Sequence, residues 1–276
     1  MSEPYVFVND DLIPAEKASL LVSDLAIQRG YGIFDFFKTL GHTPVFLDEH
    51  LDRFFHSADQ LRLSAGKNRE ELKALLHILM QKNKLPHSGI RLTLTGGYSP
   101  DGYECAKPNL IITQKPLSLA TRETFQTGIN LVSYAHRRQM PEVKTIDYLM
   151  AIWLQPFIRQ QKADDVLYQQ DGIISECPRS NFFIVTAEDK LVTPSRHVLK
   201  GIIRTKVLEL AGRQFVTEER DITLTEAVAA KEAFITSTTR HILPVLRIDH
   251  SPIGEGQPGK VSQWLNNRLE EVMPAF

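Results

Sequence analysis

Short apolar runs built from β-branched and aromatic residues alternate along this chain with segments of helical period, and nothing recurs at a fixed interval. That pattern excludes a solenoid or an all-helical bundle and predicts a mixed α and β protein. Residues 5–8, 33–39, 90–95 and 109–113 are bounded by Gly, Pro or Asn and read as strands of a first sheet. Between them Leu51, Phe54, Phe55, Ala58 and Leu61 fall on one helical face, and residues 70–83 form a second amphipathic helix. Arg53 lies roughly opposite the first apolar stripe, so its guanidinium is directed to something other than that helix's own core.

A chain of 276 residues has length for two ordinary domains. The polar, proline-containing stretch 115–127 places the joint, giving an N-terminal domain 1–118, a linker 119–127 and a C-terminal domain 128–276. Lys plus Arg number 32 against 33 Asp plus Glu, so there is no bulk charge to draw in nucleic acid or an anionic membrane. The start of the chain has no basic stretch followed by a long apolar core, and a cytoplasmic location is expected. Two cysteines, Cys105 and Cys177, and nine histidines show no metal-ligating spacing, so both thiols are read as reduced and no metal is expected.

After the joint, a strand at 129–134 leads through the basic loop 135–142 to Lys144. A helix over 147–161, capped by Asp147, is predicted next. Strands at 165–169, 172–175, 182–186 and 190–192 are separated by turns that fit antiparallel hairpins. A helix at 202–212, a strand at 233–236 running into Thr236-Ser237-Thr238-Thr239, a strand at 243–246 and a helix near 260–272 complete the chain. No Gly-x-Gly-x-x-Gly turn follows a strand, which argues against a dinucleotide fold.

Several of these positions carry chemistry. Lys144, between apolar neighbours and just ahead of a helix, has an amine suited to Schiff-base chemistry, although a solvated loop lysine fits the same pattern. Glu176 ends an apolar run, where a carboxylate either faces water or holds a cofactor's pyridine nitrogen protonated. Gly201-Ile202-Ile203 opens a helix whose free N–H groups form an anion cup. The hydroxyls of 236–239 stand at a strand end, either as β-formers or as ligands of the same anion.

Five blocks occur in a distinctive order: residues 48–54 (DEHLDRF), 144–149 (KTIDYL), 175–182 (SECPRSNF), 199–204 (LKGIIR) and 236–245 (TSTTRHILPV). With these the chain resembles the class IV aminotransferases. These are fold-type IV pyridoxal-phosphate enzymes that include branched-chain aminotransferase, D-amino-acid aminotransferase and aminodeoxychorismate lyase. The resemblance covers nearly the whole chain. It implies an α+β fold of two domains, a smaller N-terminal α/β sandwich and a larger C-terminal pseudo-barrel, and a homodimer.

The resemblance also implies roles. Lys144 carries pyridoxal 5′-phosphate covalently and moves the substrate proton. Glu176 pairs with the pyridine nitrogen and Tyr148 with the ring hydroxyl. Arg53, Gly201, the amides of Ile202 and Ile203, and Thr238 hold the phosphate. Two departures stand out: Asp147 where the family often has Asn, and Cys177 where it has Gly. Cys177, if exposed beside the cofactor, would be sensitive to oxidation.

For substrate, Tyr31, Phe34, Tyr103, Arg138 and Thr239 are the candidates, with Ile33 and Phe36 beside them. Tyr31 and Phe34 suggest an apolar pocket. Asp101 and Tyr103 stand where D-amino-acid aminotransferases carry an Arg-x-His clamp, and an aspartate cannot bind a carboxylate by charge. Arg138, with Arg137, is a candidate carboxylate contact. The expected activity is transfer of an amino group from a branched-chain or other apolar amino acid to a 2-oxo acid. The alternatives are pyruvate elimination from aminodeoxychorismate, D-amino-acid transamination, and a binding protein without catalysis.

Overall fold

The apolar runs of the first half pair into one antiparallel sheet in the computed structural model, which describes residues 4–118 and 122–274. Its strands are β1 (Tyr5–Val8), β2 (Asp11–Pro14), β3 (Gly32–Leu40), β4 (Thr43–Pro44), β5 (Ser88–Thr95) and β6 (Leu110–Pro116). They lie in the order β2-β1-β6-β5-β3-β4. Strand alternation sends Ile33 and Phe37 of β3, Ile90, Leu92 and Leu94 of β5, and Ile112 of β6 into one core. Three helices belong to this unit: α1 (Leu25–Arg29), α2 (Leu47–Gln60) and α3 (Arg69–Asn83). Leu51, Phe54 and Ala58 of α2 and Leu72, Leu76 and Leu79 of α3 complete the core. Each such fully buried side chain stabilises by about 1.5–3 kcal/mol.

Caps fix where these helices begin and end. Asn68 accepts from the Glu71 N–H while the Glu71 carboxylate accepts from the Asn68 N–H, a reciprocal capping box that starts α3. Asp24 starts α1 by accepting from the Ala26 N–H at 2.8 Å, and Gly30, with φ of 66°, ends it in the left-handed region.

Val143–Asp147 packs with this first unit although the sequence reading placed it in the domain 128–276. The reason is edge pairing. Thr145 bridges Ile33 in antiparallel fashion, the Phe34 N–H donates to the Lys144 carbonyl at 2.9 Å, and the Ile146 N–H donates to the Gly32 carbonyl at 3.0 Å. The segment thus satisfies the open edge of β3 around Gly32–Phe34.

The second unit comprises residues 122–142 and Tyr148–Met273. Its strands are β7 (Ile129–Ala135), β8 (Asp165–Gln170), β9 (Ile173–Ile174), β10 (Glu176–Cys177), β11 (Ser180–Val185), β12 (Leu191–Thr193), β13 (Thr217–Glu219), β14 (Glu232–Ser237), β15 (His241–Ile248) and β16 (Ser251–Pro252). Its helices are α4 (Arg122–Thr127), α5 (Leu149–Trp153), α6 (Gln155–Gln160), α7 (Ile202–Ala211), α8 (Leu224–Val228) and α9 (Lys260–Glu271). The sheet runs β13-β12-β11-β14-β15-β7-β8-β9, with β10 on β11 and β16 on β15. Leu131, Leu167, Phe182, Ile184, Ile235, Leu243 and Val245 form its buried core.

The hairpins at β8–β9, β10–β11 and β11–β12 are antiparallel as read, and β15–β7, β7–β8 and β12–β13, whose direction the sequence reading left open, pair in parallel. The helix over 147–161 is two helices that meet at Leu154, and Tyr148 rather than Asp147 occupies the N-cap, without a side-chain cap bond. Pro156 is the cause: it lacks the N–H that a continuous helix needs, whereas the first turn of a new helix tolerates it. Within the stretch read as linker, 122–127 is helical, and 119–121 lie outside the described residues. Among the described residues no helix is long and apolar enough to cross a membrane.

Candidate active site

Lys144 is held by its backbone before its side chain is considered. Besides the bond to β3, its N–H donates to the Ser57 hydroxyl of α2 at 3.3 Å. Its Nζ stands 4.7 Å from the centre of the Phe34 ring, and the Arg91 guanidinium lies 3.8 Å from the same ring. Phe34 is buried and points to the face of β3 opposite Ile33. The amine therefore rests against an aromatic wall.

The other face of β3 carries a buried charge cluster that the sequence reading did not single out. Asp35 is fully buried and accepts from Arg53 Nε at 2.8 Å and Nη2 at 2.9 Å, while His50 Nδ1 lies 2.7 Å from Asp35 Oδ1. Burial pushes the Asp35 carboxyl up, but the Arg53 and His50 charges outweigh it and hold the group well below the usual carboxylate range. His50 is pushed down from its ordinary value, chiefly by burial and opposed by Asp35, with the Arg53 and Lys144 charges adding to the fall. An aspartate inside the apolar run Ile33-Phe34-Asp35-Phe36-Phe37 was the available signal, because a charge there must find a partner.

In the second unit Glu176 is buried and clamped. Arg138 Nη1 donates to its Oε1 at 2.9 Å. Its Oε2 accepts from Asn181 Nδ2 at 3.1 Å and from the Leu199 N–H at 3.0 Å. Asn181 Nδ2 also donates to the Leu199 carbonyl at 2.7 Å, which ties the segment leading to α7 to the β10–β11 hairpin. The hairpin explains the pairing: Cys177 faces Ser180 across a two-residue turn, so Glu176 faces Asn181. Asn181 was quoted in the sequence but given no role.

Gly201 is the N-cap of α7 and supplies no side-chain cap, so the first amides, those of Ile202 and Ile203, point outward from a helix of ten residues. Thr238 and Thr239 form the turn between β14 and β15 with Arg240, whose N–H donates to Ser237 Oγ at 3.2 Å. The Thr236 hydroxyl is buried with no hydrogen-bond partner among the described residues.

Residues 32–248 match the family Amino-transferase class IV. This chain belongs to the class IV aminotransferases. Branched-chain-amino-acid aminotransferase-like protein 2 of Arabidopsis thaliana is 31% identical over 283 residues, covering 96% of this chain and 50% of that protein. The chain thus spans half the length of that relative. D-alanine aminotransferase of Bacillus licheniformis is 26% identical, covering 96% and 95%. The branched-chain amino acid aminotransferase of Escherichia coli superposes with a TM-score of 0.89 at 22% identity, over 98% of this chain and 94% of that one. The T.th. branched-chain amino acid aminotransferase with pyridoxamine 5′-phosphate gives a TM-score of 0.89 at 22% identity, covering 97% and 93%. The two-domain fold-type IV architecture is therefore that of this chain.

Pyridoxal phosphate is the cofactor of the class IV aminotransferases, and the residues of this chain fit that group. An uncapped helix N-terminus suits a phosphate, the orphaned Thr236 hydroxyl stands beside the Ser237–Thr239 turn, and a buried clamped carboxylate suits a pyridine nitrogen. Arg53, read as lying opposite the apolar stripe of its helix, is turned to β3, where the buried Asp35 holds two of its three guanidinium nitrogens.

The substrate candidates fare unevenly. Phe34 lies against Lys144. Tyr31 instead packs on the first core and donates its hydroxyl to the Leu61 carbonyl at 2.6 Å, so it holds the end of α2. Tyr103 is 83% exposed in a loop, with the Arg29 guanidinium 5.3 Å from its ring centre. Arg138 is turned to Glu176. Cys177, an oxidation point only if exposed, is buried in the core of the second unit, and burial pushes its thiol well above its ordinary value. Among the described residues no group of His, Cys, Asp and Glu forms a metal cluster.

Proposed function

We propose that this aminotransferase takes the amino group of a small apolar, branched-chain amino acid and passes it to a 2-oxo acid, with Lys144 as the reacting amine. The observation that carries the reading is the Phe34 ring 4.7 Å from Lys144 Nζ, an apolar wall at the position where a substrate side chain must pass. The name of the Arabidopsis relative supports the same class.

When bound, pyridoxal phosphate supplies an electron sink for the charge that develops at the substrate α-carbon. Lys144 Nζ would be the group that takes up and releases the substrate α-proton. Glu176 would hold a proton at the pyridine nitrogen, and Tyr148 would hydrogen-bond the ring hydroxyl. The Ile202 and Ile203 amides, Thr238 and Arg53 would hold the phosphate, with Gly201 giving the backbone its approach and Asp35 orienting Arg53. The turn at Thr239 offers polar groups to the substrate carboxylate.

The loop that a D-amino-acid enzyme would use for a carboxylate clamp bears on handedness. Asp101 Oδ1 accepts from the Tyr103 and Glu104 N–H groups at 2.8 Å each, so it stabilises its own turn and presents no cation. L-amino acids are the expected donors. Two unbridged thiols suit a reducing cytoplasm, and Leu149, Ile152 and Trp153, exposed together on α5, suit burial in a homodimer.

Borohydride trapping followed by peptide mapping tests the first step, with the adduct expected on Lys144. A donor panel read by cofactor absorbance tests the rest. L-leucine, L-isoleucine and L-valine should convert the bound aldehyde to the amine and D-alanine should not. Pyruvate release from aminodeoxychorismate without any oxo acid would replace transamination with the lyase reading, and a panel with no active donor would leave only a binding protein.

A further inference from the structure

The basic loop before Lys144 delivers Arg138 to an unexpected place. Its path is pinned to β8, where the His136 N–H donates to the Gln169 carbonyl at 2.9 Å and the His136 ring meets the Tyr168 ring edge-on at 4.8 Å. From there Arg138 reaches Glu176 Oε1, while Asn181 and the Leu199 N–H occupy Oε2. A carboxylate with both oxygens engaged from different segments cannot rotate freely, and a buried anion needs a countercharge.

The ionisable groups on the neighbouring strands do not supply one. Tyr168 of β8 is raised above its ordinary value by burial and then by the Asp165 charge. Cys177 of β10 is raised in the same way, by burial first and then by Asp165 and Glu176. Both therefore stay neutral, and Asp165 is itself acidic, with its own carboxyl raised by burial. Arg240 and Arg179 act on Asp165.

We infer that Arg138 is a positioning residue acting through Glu176, fixing the carboxylate's orientation and charge for the ring nitrogen of the cofactor, rather than a contact for the substrate. The inference rests on the proposed pairing of Glu176 with that nitrogen. In a binding interaction that depends on a charged hydrogen bond, loss of the fixed partner weakens affinity roughly tenfold or more.

The test compares apoprotein binding of pyridoxal phosphate with binding of its carbocyclic analogue, in which a C–H replaces the ring nitrogen, in the native protein and in R138M, R138K and E176Q. R138M should weaken pyridoxal phosphate roughly tenfold or more and shift its bound absorbance, while leaving the analogue nearly unchanged. R138K should recover part of the loss, and the KM for the amino donor should hold in both. Equal weakening of both cofactors by R138M and R138K would make Arg138 merely structural. An unchanged cofactor affinity and spectrum with a raised donor KM would return it to the substrate. Either result overturns the inference. If E176Q keeps the native preference for pyridoxal phosphate over the analogue, the Glu176 reading itself fails, and if E176Q loses that preference while R138M keeps it, only the inference fails.

Discussion

Asp35 on β3 and Arg53 on α2 meet in a two-point contact, Nε to Oδ2 at 2.8 Å and Nη2 to Oδ1 at 2.9 Å, with the carboxylate fully buried. Two parallel bonds fix the plane of the guanidinium as well as its distance. Sheet and helix are thereby joined by charge at the layer that also carries Lys144. D35A should leave Arg53 without its partner in a buried setting and cost about 3–5 kcal/mol. Urea unfolding measures that loss, and phosphate binding by the apoprotein should weaken in parallel because Arg53 is no longer aimed.

The same cluster sets an acid limit on stability. Asp35 is depressed in the folded state, so its contribution is complete above the ordinary carboxylate value of 3.8 and is lost as pH falls through the lower folded value. His50 is also depressed, and because it is a base, the unfolded chain takes up a proton below the ordinary value of 6.5 that the folded chain refuses. Both effects make acid destabilising, by up to about 1.4 kcal/mol per pH unit for each proton. H50Q should flatten the stability curve below about pH 6.5, and D35N should flatten it only below about pH 4, where ordinary carboxylates titrate. Melting temperatures from pH 3 to 8 separate the two, and a curve that H50Q leaves unchanged would exclude the histidine.

Gly201 serves by being small, not by taking an unusual conformation, since its φ is −69°. A Cβ there would strike Asn181 Oδ1. Asn181 holds Glu176 and the Leu199 carbonyl, so Gly201→Ala should cost about 1–3 kcal/mol and also loosen the cofactor. Fluorescence titration of apoprotein with pyridoxal phosphate reports the second effect, and N181A should reproduce it without the steric component.

The two thiols should differ sharply in reactivity. Cys105 is exposed, whereas Cys177 is buried with its thiol pushed well above the ordinary value by burial and then by the Asp165 and Glu176 charges. A thiol-specific reagent should therefore modify one cysteine per folded chain and both in denaturant. Rapid modification of both under native conditions would contradict the burial.

Asn68→Ala removes the capping box at the start of α3. It should lower stability by about 1 kcal/mol with activity per folded molecule unchanged, as chemical denaturation and a steady-state assay would show.

Much of the fold is legible in the residues because local pattern and tertiary role agree. The strand at 5–8 coincides with β1, and the apolar stripe of Leu51, Phe54 and Ala58 is the buried face of α2. A disagreement arises where one residue overrides a pattern, as Pro156 does, and the sequence is silent where pairing joins distant strands, as in the parallel β15–β7 and β7–β8 ladders. Strand composition specifies a pleated, half-buried surface and carries no direction.

The order of its motifs by itself marked this chain as a class IV aminotransferase, because five blocks stand in that family's succession along nearly the whole sequence. Only the tertiary structure decided the partners: Arg53 with Asp35, Arg138 with Glu176, Asn181 beneath Gly201, and the Lys144 segment on the edge of β3. Side-chain charge and shape are properties of a residue, but the neighbour that satisfies them is fixed by strand register and helix packing, which depend on contacts remote in sequence.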